Sequence, residues 1–332
     1  MWPSWALLSA LALAGSLLER LPLWAQLVPL GASVVALGLP HGATDHVVGF
    51  RLTLRRVRAL PLVAFGLVYL ASALVYVAVW WIWPVGAFAA FIALTWFHWG
   101  QGDLFSLVAW TGAGHLPSRV GRALAVAVRG GLPMLVPLLA WPETYAWVAG
   151  LTAAPFGAEA EARAAVGALP RAQVGSLYAG LVVFYFWVAI TAISMRRAGR
   201  GARADLGRDA FEVVLLALFF WRVPPLVAVG AYFCAWHAAR HVLRLVEADA
   251  GALARGGPRA ALARWARDAA PITALALAMI VGLAFAVPAR PEGVAGAVGL
   301  YLVGIAALTL PHVAVVVWMD RAQRVWAPAP PP

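Results

Sequence analysis

The fold class is decided by an uncharged stretch of sequence, LPLVAFGLVYLASALVYVAVWWIW, at residues 60–83. An α-helix rises 1.5 Å per residue, so about 20 apolar residues cross the hydrocarbon core of a bilayer. A helix also satisfies its backbone hydrogen bonds internally, which is required where no water is present. Residues 60–83 therefore predict a membrane-spanning helix.

The composition of the whole chain agrees with this prediction. Of its 332 residues, 63% are hydrophobic and only 12% are charged, and the mean hydropathy is +0.83. A soluble protein of this length needs more charged side chains to cover its surface. The net charge of +11 comes from Arg without any Lys, in short clusters between apolar runs. Such clusters are typical of a topology signal, so we predict a lipid bilayer environment and no nucleic-acid partner.

Similar apolar runs recur along the chain. We predict about ten spans, at residues 5–18, 23–50, 60–83, 85–110, 123–141, 174–195, 211–222, 225–246, 271–287 and 294–319. Two of them, 5–18 and 211–222, are short enough to be re-entrant or interfacial, which leaves eight or nine spans as alternatives. No repeat or linker divides the chain. The prediction is an all-α, polytopic transmembrane helical bundle that forms a single integral membrane domain, residues 1–332.

Arginine placement predicts the orientation of this bundle. Strongly basic connections at 51–58, 119–122, 196–208 and 240–267 alternate with connections that are short, neutral or mixed in charge. With ten spans, the positive-inside rule places both termini in the cytoplasm. We expect a multi-pass protein of the cell inner (cytoplasmic) membrane.

Histidines are the polar groups that need an explanation, because an unpartnered polar group in hydrocarbon costs several kcal/mol. Six of the seven lie in or beside apolar runs: His41, His46, His98, His237, His241 and His312. All of these except His46 fall roughly 18 to 27 Å from the outer boundary of their predicted spans, at 1.5 Å per residue. We therefore predict that five imidazoles from four helices meet in one layer.

The sequence CAWHAARH at 234–241 places His237 and His241 four residues apart. That spacing puts both side chains on one helical face, where they can bind one metal ion. The alternative is a hydrogen-bonded structural pair.

The sequence LPHGATDH at 39–46 combines a helix-breaking Pro/Gly environment with His41, Asp45 and His46. We predict His41 as a metal ligand, with His46 less certain. Asp45 is expected to accept the far ring N–H of a ligating histidine and to fix its tautomer. The alternative is an Asp/His N-cap of the following helix.

Two further motifs contain a histidine. In WFHWGQGD at 96–103, His98 is a predicted ligand, and Asp103 either orients a ligand or handles protons, or is a charge near the interface. In TLPH at 309–312, His312 is either a fifth ligand or the neighbour of a proline kink. His115 lies in a presumed loop, where we expect a solvated side chain without a role.

Imidazoles without cysteine favour iron, zinc, copper or nickel, and spacing alone does not separate these metals. The His-Glu-x-x-His motif of zinc metalloproteases is absent from the sequence. Three or four histidines with open positions suit dioxygen activation at iron. Aromatic side chains crowd the motifs and predict either membrane core packing or a tunnel for a long apolar substrate. They are Trp96, Phe97, Trp99, Tyr232, Phe233 and Trp236.

Taken in order, the motifs resemble those of the Brp/Blh family of bacterial and archaeal β-carotene 15,15′-dioxygenases. The resemblance extends from about Gly38 to Asp320 and rests on PHGxxDH at 40–46, FHWG at 97–100 with Asp103, WHxxRH at 236–241 and LPH at 310–312. Departures are Ala238, where Ser is common in the family, and Trp99, where Phe is common.

The resemblance implies an enzyme that uses Fe(II) and O₂ to split β-carotene at its central double bond into two molecules of all-trans-retinal. It implies iron ligation by His41, His98, His237 and His241, and leaves the roles of His46 and His312 open. It also raises the question of retinal hand-over to a microbial rhodopsin.

Other functions stay open at this point. Another intramembrane non-haem iron oxygenase, of the desaturase or hydroxylase type, usually has more histidines in several clusters. A haem-binding membrane protein or a carrier could also use paired histidines, although a carrier typically has a polar path and interrupted helices in symmetric halves.

Overall fold

In a computed structural model the protein is a bundle of α-helices, and the structure describes residues 1–47, 59–197, 199–290 and 292–327. The predicted basic connection at 51–58 and the end of the run at 23–50 lie outside these residues. The helices are α1 (Trp2–Leu13), α2 (Gly15–Leu18), α3 (Leu23–Ser33), α4 (Leu39–Ala43), α5 (Ala59–Ile82), α6 (Pro84–Thr111), α7 (Arg119–Ala140), α8 (Pro142–Ala153), α9 (Glu159–Gly167), α10 (Arg171–Met195), α11 (Arg200–Arg222), α12 (Pro225–Tyr232), α13 (Ala239–Ala248), α14 (Ala250–Ala286) and α15 (Gly293–Ala322). Shorter turns complete the path: π-helical turns at Val34–Gly38 and Phe233–Ala238, and a 3₁₀ turn at Ala154–Phe156.

Six helical segments of the described chain are long and apolar enough to cross a membrane. They are Leu23–Val47, Leu60–Ile82, Arg119–Ala140, Arg171–Met195, Ala250–Ala286 and Gly293–Ala322. Many large apolar side chains on them are exposed, among them Leu67, Val183 and Phe285. Exposed apolar surface on this scale is typical of lipid contact. The all-α class predicted from the sequence is confirmed, and the six candidate spans agree with the predicted membrane environment.

Helices also form where the sequence predicted connections. The basic segment 240–267 is mostly helical, since α13 continues to Ala248 and α14 begins at Ala250. Alanine is the strongest helix former, and this segment is rich in it. The Asp249 side chain caps α14 by accepting a hydrogen bond from the Ala252 backbone N–H at 3.0 Å. A kink at Gly256 and Gly257 then bends the helix.

Two other predicted features also differ from the structure. The predicted connection between residues 143 and 171 contains α8 and α9. The short run 211–222 is the apolar half of α11, which begins eleven residues earlier at Arg200. Its first half is polar, so hydropathy alone did not indicate the full length of the helix.

The close packing of α6 and α7 forms the centre of the bundle. A Cβ atom at Gly100 would lie 2.1 Å from the Val126 carbonyl oxygen, and one at Gly130 would lie 1.9 Å from the Trp96 carbonyl oxygen. Only glycine permits this approach, and it buries the His98 side chain of α6 inside the bundle.

Burial differs sharply among the six candidate spans. Of an 18-residue apolar stretch in each helix, only 11% is buried in α5 and in α14, against 67% in α7 and 56% in α15. Both α5 and α14 pack on α15. The helix α15 is therefore an interior element with two peripheral helices beside it.

Candidate metal centre

Two π-helical turns shape the site. Val34–Gly38 precedes α4, which carries His41, and Phe233–Ala238 contains His237. Pro40 explains the first turn, because proline lacks the N–H that would bond to the carbonyl four residues earlier and its ring clashes with that carbonyl. Single π turns inside α-helices are frequent at functional sites.

Five imidazoles from four parts of the chain converge at these turns. The ring centroid of His41 lies 4.9 to 6.5 Å from those of the other four histidines, which are His98, His237, His241 and His312. His98 also lies 4.8 Å from His237 and 4.7 Å from His312. All five side chains are buried. The structure thus brings together the five histidines that the sequence placed in one layer.

The nitrogen atoms in this cluster are close enough to share one ion. The Nε2 atoms of His98 and His237 are 3.1 Å apart. One ligand atom each from His41, His98 and His312 lie within 4.8 Å of one another. Two nitrogens bound to one ion at about 2.1 Å and at right angles lie about 3 Å apart, so the closest pair matches a coordinated arrangement.

The partners of the other ring nitrogens support metal ligation. The Nδ1 atom of His41 lies within hydrogen-bond reach of the carbonyl oxygens of Gly38 and Leu37. The Nδ1 atom of His312 lies 2.8 Å from Oδ2 of Asp45. An Nδ1–H tautomer donates both bonds and leaves the Nε2 lone pairs free for a metal.

Four ring nitrogens of the histidine cluster lack a hydrogen bond within the described part of the chain: the Nε2 atoms of His41, His241 and His312, and the Nδ1 atom of His98. A buried polar atom without a partner is costly in a low-dielectric interior. Neutral imidazole nitrogens are suitable ligands for iron, zinc or copper. The donor set therefore fits a transition metal, while its chemistry does not distinguish iron from the others.

Asp45 contacts His312, rather than the His41 beside it in sequence. The same Oδ2 atom of Asp45 accepts a hydrogen bond from the Tyr69 hydroxyl at 3.2 Å. Gly42 packs against His312, and a Cβ atom there would be in ordinary van der Waals contact with its Nδ1 atom, at 3.4 Å. His46 lies apart from the cluster, and its Nδ1 atom is 3.0 Å from the Ala43 carbonyl oxygen.

Asp103 belongs to a second buried polar cluster, which we call the ionic cluster. Its members are Asp103, Arg129, Asp209, Glu212 and Arg240. Arg129 donates to Asp103 at 3.0 Å, to Asp209 at 2.5 Å and to Glu212. Arg240 donates to Glu212 at 2.7 Å and to Asp103 at 3.3 Å.

The ionic cluster lies directly behind the His237–His241 segment. The Trp236 ring N–H donates to Asp103 at 2.9 Å, and the Arg240 guanidinium lies 3.7 Å from the Trp236 ring centroid. Both residues flank His237 or His241 in sequence. Asp103 therefore bonds to the helix that carries two histidines, through the side chains of Trp236 and Arg240.

His115 corrects one prediction. It was expected to be a solvated loop residue, but it is fully buried, and its Nε2 atom lies 3.0 Å from Oδ2 of Asp209. Tyr185 donates to the same carboxylate oxygen. The loop is drawn inward because the Asp209 carboxylate needs partners in the protein interior.

An apolar cavity of about 600 Å³ reaches the histidine cluster. His41, His98 and His312 line it, and His46 lies on its wall. The aromatic lining consists of Phe65, Tyr69, Phe88, Phe91, Trp99, Tyr145, Phe233 and Tyr301. Two of the six predicted tunnel residues, Trp99 and Phe233, are in this set.

The other four predicted tunnel residues lie elsewhere. Trp96 donates its ring N–H to the Ala127 carbonyl oxygen at 2.7 Å, and Phe97 is 37% exposed on the outer face of α6. Tyr232 and Trp236 are fully buried in the core beside the ionic cluster. Because a helix presents each residue in one direction, proximity in sequence to a histidine did not predict which aromatic rings face the cavity.

Sequence reasoning missed the ionic cluster and Tyr69. A usable signal existed, because Arg129 lies in the middle of the apolar run 123–141 and a buried arginine requires a carboxylate. Asp205, Asp209 and Glu212 recur at a spacing that puts them on one face of α11. No comparable signal singled out Tyr69, which lies in a run of apolar residues.

Comparison with known proteins agrees with the motifs. The family model described as β-carotene 15,15′-dioxygenase matches residues 32–320. A probable β-carotene 15,15′-dioxygenase, Blh, of Halobacterium salinarum is 43% identical over 324 residues, which cover 97% of this chain and 92% of that protein.

More distant relatives have similar descriptions. A probable β-carotene 15,15′-dioxygenase, Brp, of Halobacterium salinarum is 31% identical over 88% of this chain and 83% of its own length. A β-carotene 15,15′-dioxygenase of the uncultured marine bacterium 66A03 is 25% identical over 63% of this chain and 66% of its own length. No solved structure matches the chain significantly. The family match spans most of the chain and the similarity to Blh nearly all of it, so the chain belongs to the β-carotene 15,15′-dioxygenase family.

Proposed function

We propose that this protein cleaves the central 15,15′ double bond of β-carotene with O₂ and forms two molecules of all-trans-retinal. One observation carries the proposal: His41 and His312 line an apolar cavity, and their Nε2 atoms have no hydrogen-bond partner in the described part of the chain. Membership of the family supports the same reaction. Each carbon of the broken double bond becomes an aldehyde carbon, so one O₂ balances the two oxygen atoms of the two retinal molecules.

His41, His98, His237 and His241 are the proposed ligands of Fe(II), and His312 is added to them because its Nε2 atom has no partner among the described residues. The metal, when bound, supplies the activation of dioxygen that an organic side chain cannot provide. Asp45 and Tyr69 orient His312 through the hydrogen bonds at its Nδ1 side. Asp103 and Arg240 fix the helix of His237 and His241 from behind.

The cavity performs the positioning. Its apolar wall contacts the polyene and excludes water, and the position of the histidines along this wall sets which double bond lies beside the metal. Adjacent double bonds of a polyene are nearly identical chemically. The choice of the central bond is therefore a matter of how far the substrate can enter the cavity.

We further propose a ten-span topology within one integral membrane domain, residues 1–332, in the cell inner membrane with both termini in the cytoplasm. Six of the predicted runs coincide with the six helical segments that are long and apolar enough to cross a membrane. Helices also lie at the other four runs: α1 with α2, α6, α11 and the segment 225–248. Retinal hand-over to a microbial rhodopsin is a further part of the proposal, motivated by the product alone.

The test is expression in bacteria that accumulate β-carotene, with iron supplied. The expected result is loss of the yellow pigment and appearance of retinal in a chromatographic pigment analysis. Persistent carotene without retinal, beside folded protein, would contradict the proposal. A hydroxylated or desaturated carotenoid would indicate another oxygenase, and a Soret band in the purified protein would indicate haem. Metal analysis of the active protein identifies the ion.

A further inference from the structure

We infer that β-carotene enters the cavity directly from the bilayer, one end first, through a slot between α5 and α14. This inference rests on the proposed function. The slot is bounded by five residues that we call the rim: Gly66 and Leu70 of α5, and Ile272, Leu275 and Met279 of α14.

The rim residues line the cavity and are exposed at the same time. Leu70 is 40% exposed, Leu275 is 55% exposed and Met279 is 37% exposed. Residues that line the same cavity away from the rim are buried, with His41 at 6% and Phe88 at 7%. Exposure therefore falls from the rim to the histidines, which indicates that the cavity opens at the rim.

The packing of the helices leaves this opening. Both α5 and α14 pack on α15, which carries His312, but in the described chain they do not pack closely against each other. They are also the least buried of the six candidate spans. Elements with few buried contacts separate at low cost, so the two helices can part to admit a ligand.

The chemistry of the rim suits the passage of an apolar ligand that comes from the bilayer. All five rim residues are uncharged and apolar. β-Carotene has no polar group, so its surroundings stay apolar when it moves from lipid into an apolar slot. Passage through water would instead cost about 25 cal/mol of transfer free energy per Å² of exposed apolar surface. Residues 272 to 279 cover about 10 Å of helix, which is a slot for an extended chain that enters end-on.

Gly66 has no side chain beyond hydrogen, which makes it the best position of the rim for a test. A Cβ atom there would meet no atom within 4 Å, so larger side chains occupy the slot without disturbing the helix packing. The series Gly66→Ala, Gly66→Leu and Gly66→Phe fills it stepwise. Leu275→Trp narrows the slot from α14, and Leu275→Ala widens it.

Matched controls lie on α10. Gly180 is an exposed helical glycine, and a Cβ atom added to it would also have no atom within 4 Å, so Gly180→Phe is the control for Gly66→Phe. Leu177 is 76% exposed and does not line the cavity, so Leu177→Trp is the control for Leu275→Trp.

Two measurements are made on purified protein in vesicles that contain β-carotene: the rate of retinal formation, and the rate at which carotene quenches tryptophan fluorescence in metal-free protein. We expect Gly66→Phe and Leu275→Trp to lower kcat/KM and the quenching rate about 10-fold, since restricted access slows association. Iron content should be unchanged, and the two controls should match the wild type. Leu275→Ala should bind at least as fast as the wild type.

Rim variants that match their controls in both measurements would overturn the slot. If Gly66→Phe fails to insert, Gly66→Leu provides the same test. A wild-type protein that shows rim-dependent carotene binding but forms no retinal would contradict the proposed reaction and support the slot. A wild type that neither binds nor cleaves carotene would overturn both.

Discussion

The bundle contains two buried polar clusters with opposite hydrogen-bonding states. In the ionic cluster all six carboxylate oxygens of Asp103, Asp209 and Glu212 accept a hydrogen bond. In the histidine cluster the Nε2 atoms of His41, His241 and His312 have no partner among the described residues. Both clusters lie in the same low-dielectric interior, where an unpaired polar atom is costly.

The saturation of its hydrogen bonds distinguishes a structural polar cluster from a functional one. A saturated network holds helices in a fixed arrangement and offers nothing to a ligand. A cluster with free lone pairs is stable when a ligand completes it, and here the cavity leads to that cluster. The two clusters meet at Arg240, which lies between His237 and His241 in sequence and bonds to Asp103 and Glu212.

The largest expected effect comes from removing a histidine of the metal centre. His237→Ala and His241→Ala should each lose bound metal and all cleavage activity, because the ion loses a ligand, while the protein still inserts and folds. Metal analysis and retinal formation measure this. His46→Ala is the matched control and should keep its metal, because the His46 ring lies apart from the five clustered rings. Full activity in either ligand variant would refute its assignment.

Substitutions in the ionic cluster should lower the stability of the folded protein. Arg129→Met leaves three buried carboxylates without their main partner, which is expected to lower the free energy of unfolding by about 3–5 kcal/mol. Thermal unfolding in detergent measures the loss. Arg163→Met is the control, because the Arg163–Glu159 pair is exposed and contributes about 0.3–0.5 kcal/mol. Equal stability of the two variants would contradict a structural role for the ionic cluster.

Asp45→Asn should have an intermediate effect on the histidine cluster. The amide no longer favours the Nδ1–H tautomer of His312, and loss of such an outer carboxylate typically weakens metal binding by about 10–100-fold. Titration of metal-free protein measures the affinity. Tyr69→Phe removes only the hydroxyl bond to Asp45 and should have a smaller effect. Unchanged affinity in Asp45→Asn would exclude Asp45 from orienting a ligand.

The smallest expected effect belongs to His115, at the edge of the ionic cluster. His115→Ala removes one of the partners of Asp209 and should cost about 1–3 kcal/mol in stability. Cleavage per folded molecule should stay at the wild-type level, because the hydrogen bond of His115 goes to the ionic cluster. A loss of activity without a loss of stability would place His115 in the reaction instead.

Much of the site was predictable from sequence. Apolar run lengths predicted the long apolar helices, and equal depths in the predicted spans predicted the convergence of five histidines. The motifs also predicted the family. The part that failed depends on direction around a helix: Phe97 and Trp99 are two residues apart, yet one faces outward and the other lines the cavity.

The sequence by itself determined the expected lipid environment, the helical class and the family of this protein, because hydrophobicity, run length and motif order are properties of the chain. Only the tertiary structure decided which acid serves which histidine, which arginines are buried, and which rings line the cavity. Asp45 bonds to His312, 267 residues away, although His41 and His46 are its neighbours in sequence. Such choices depend on the rotation and packing of helices, which follow from all the side chains of the core acting together.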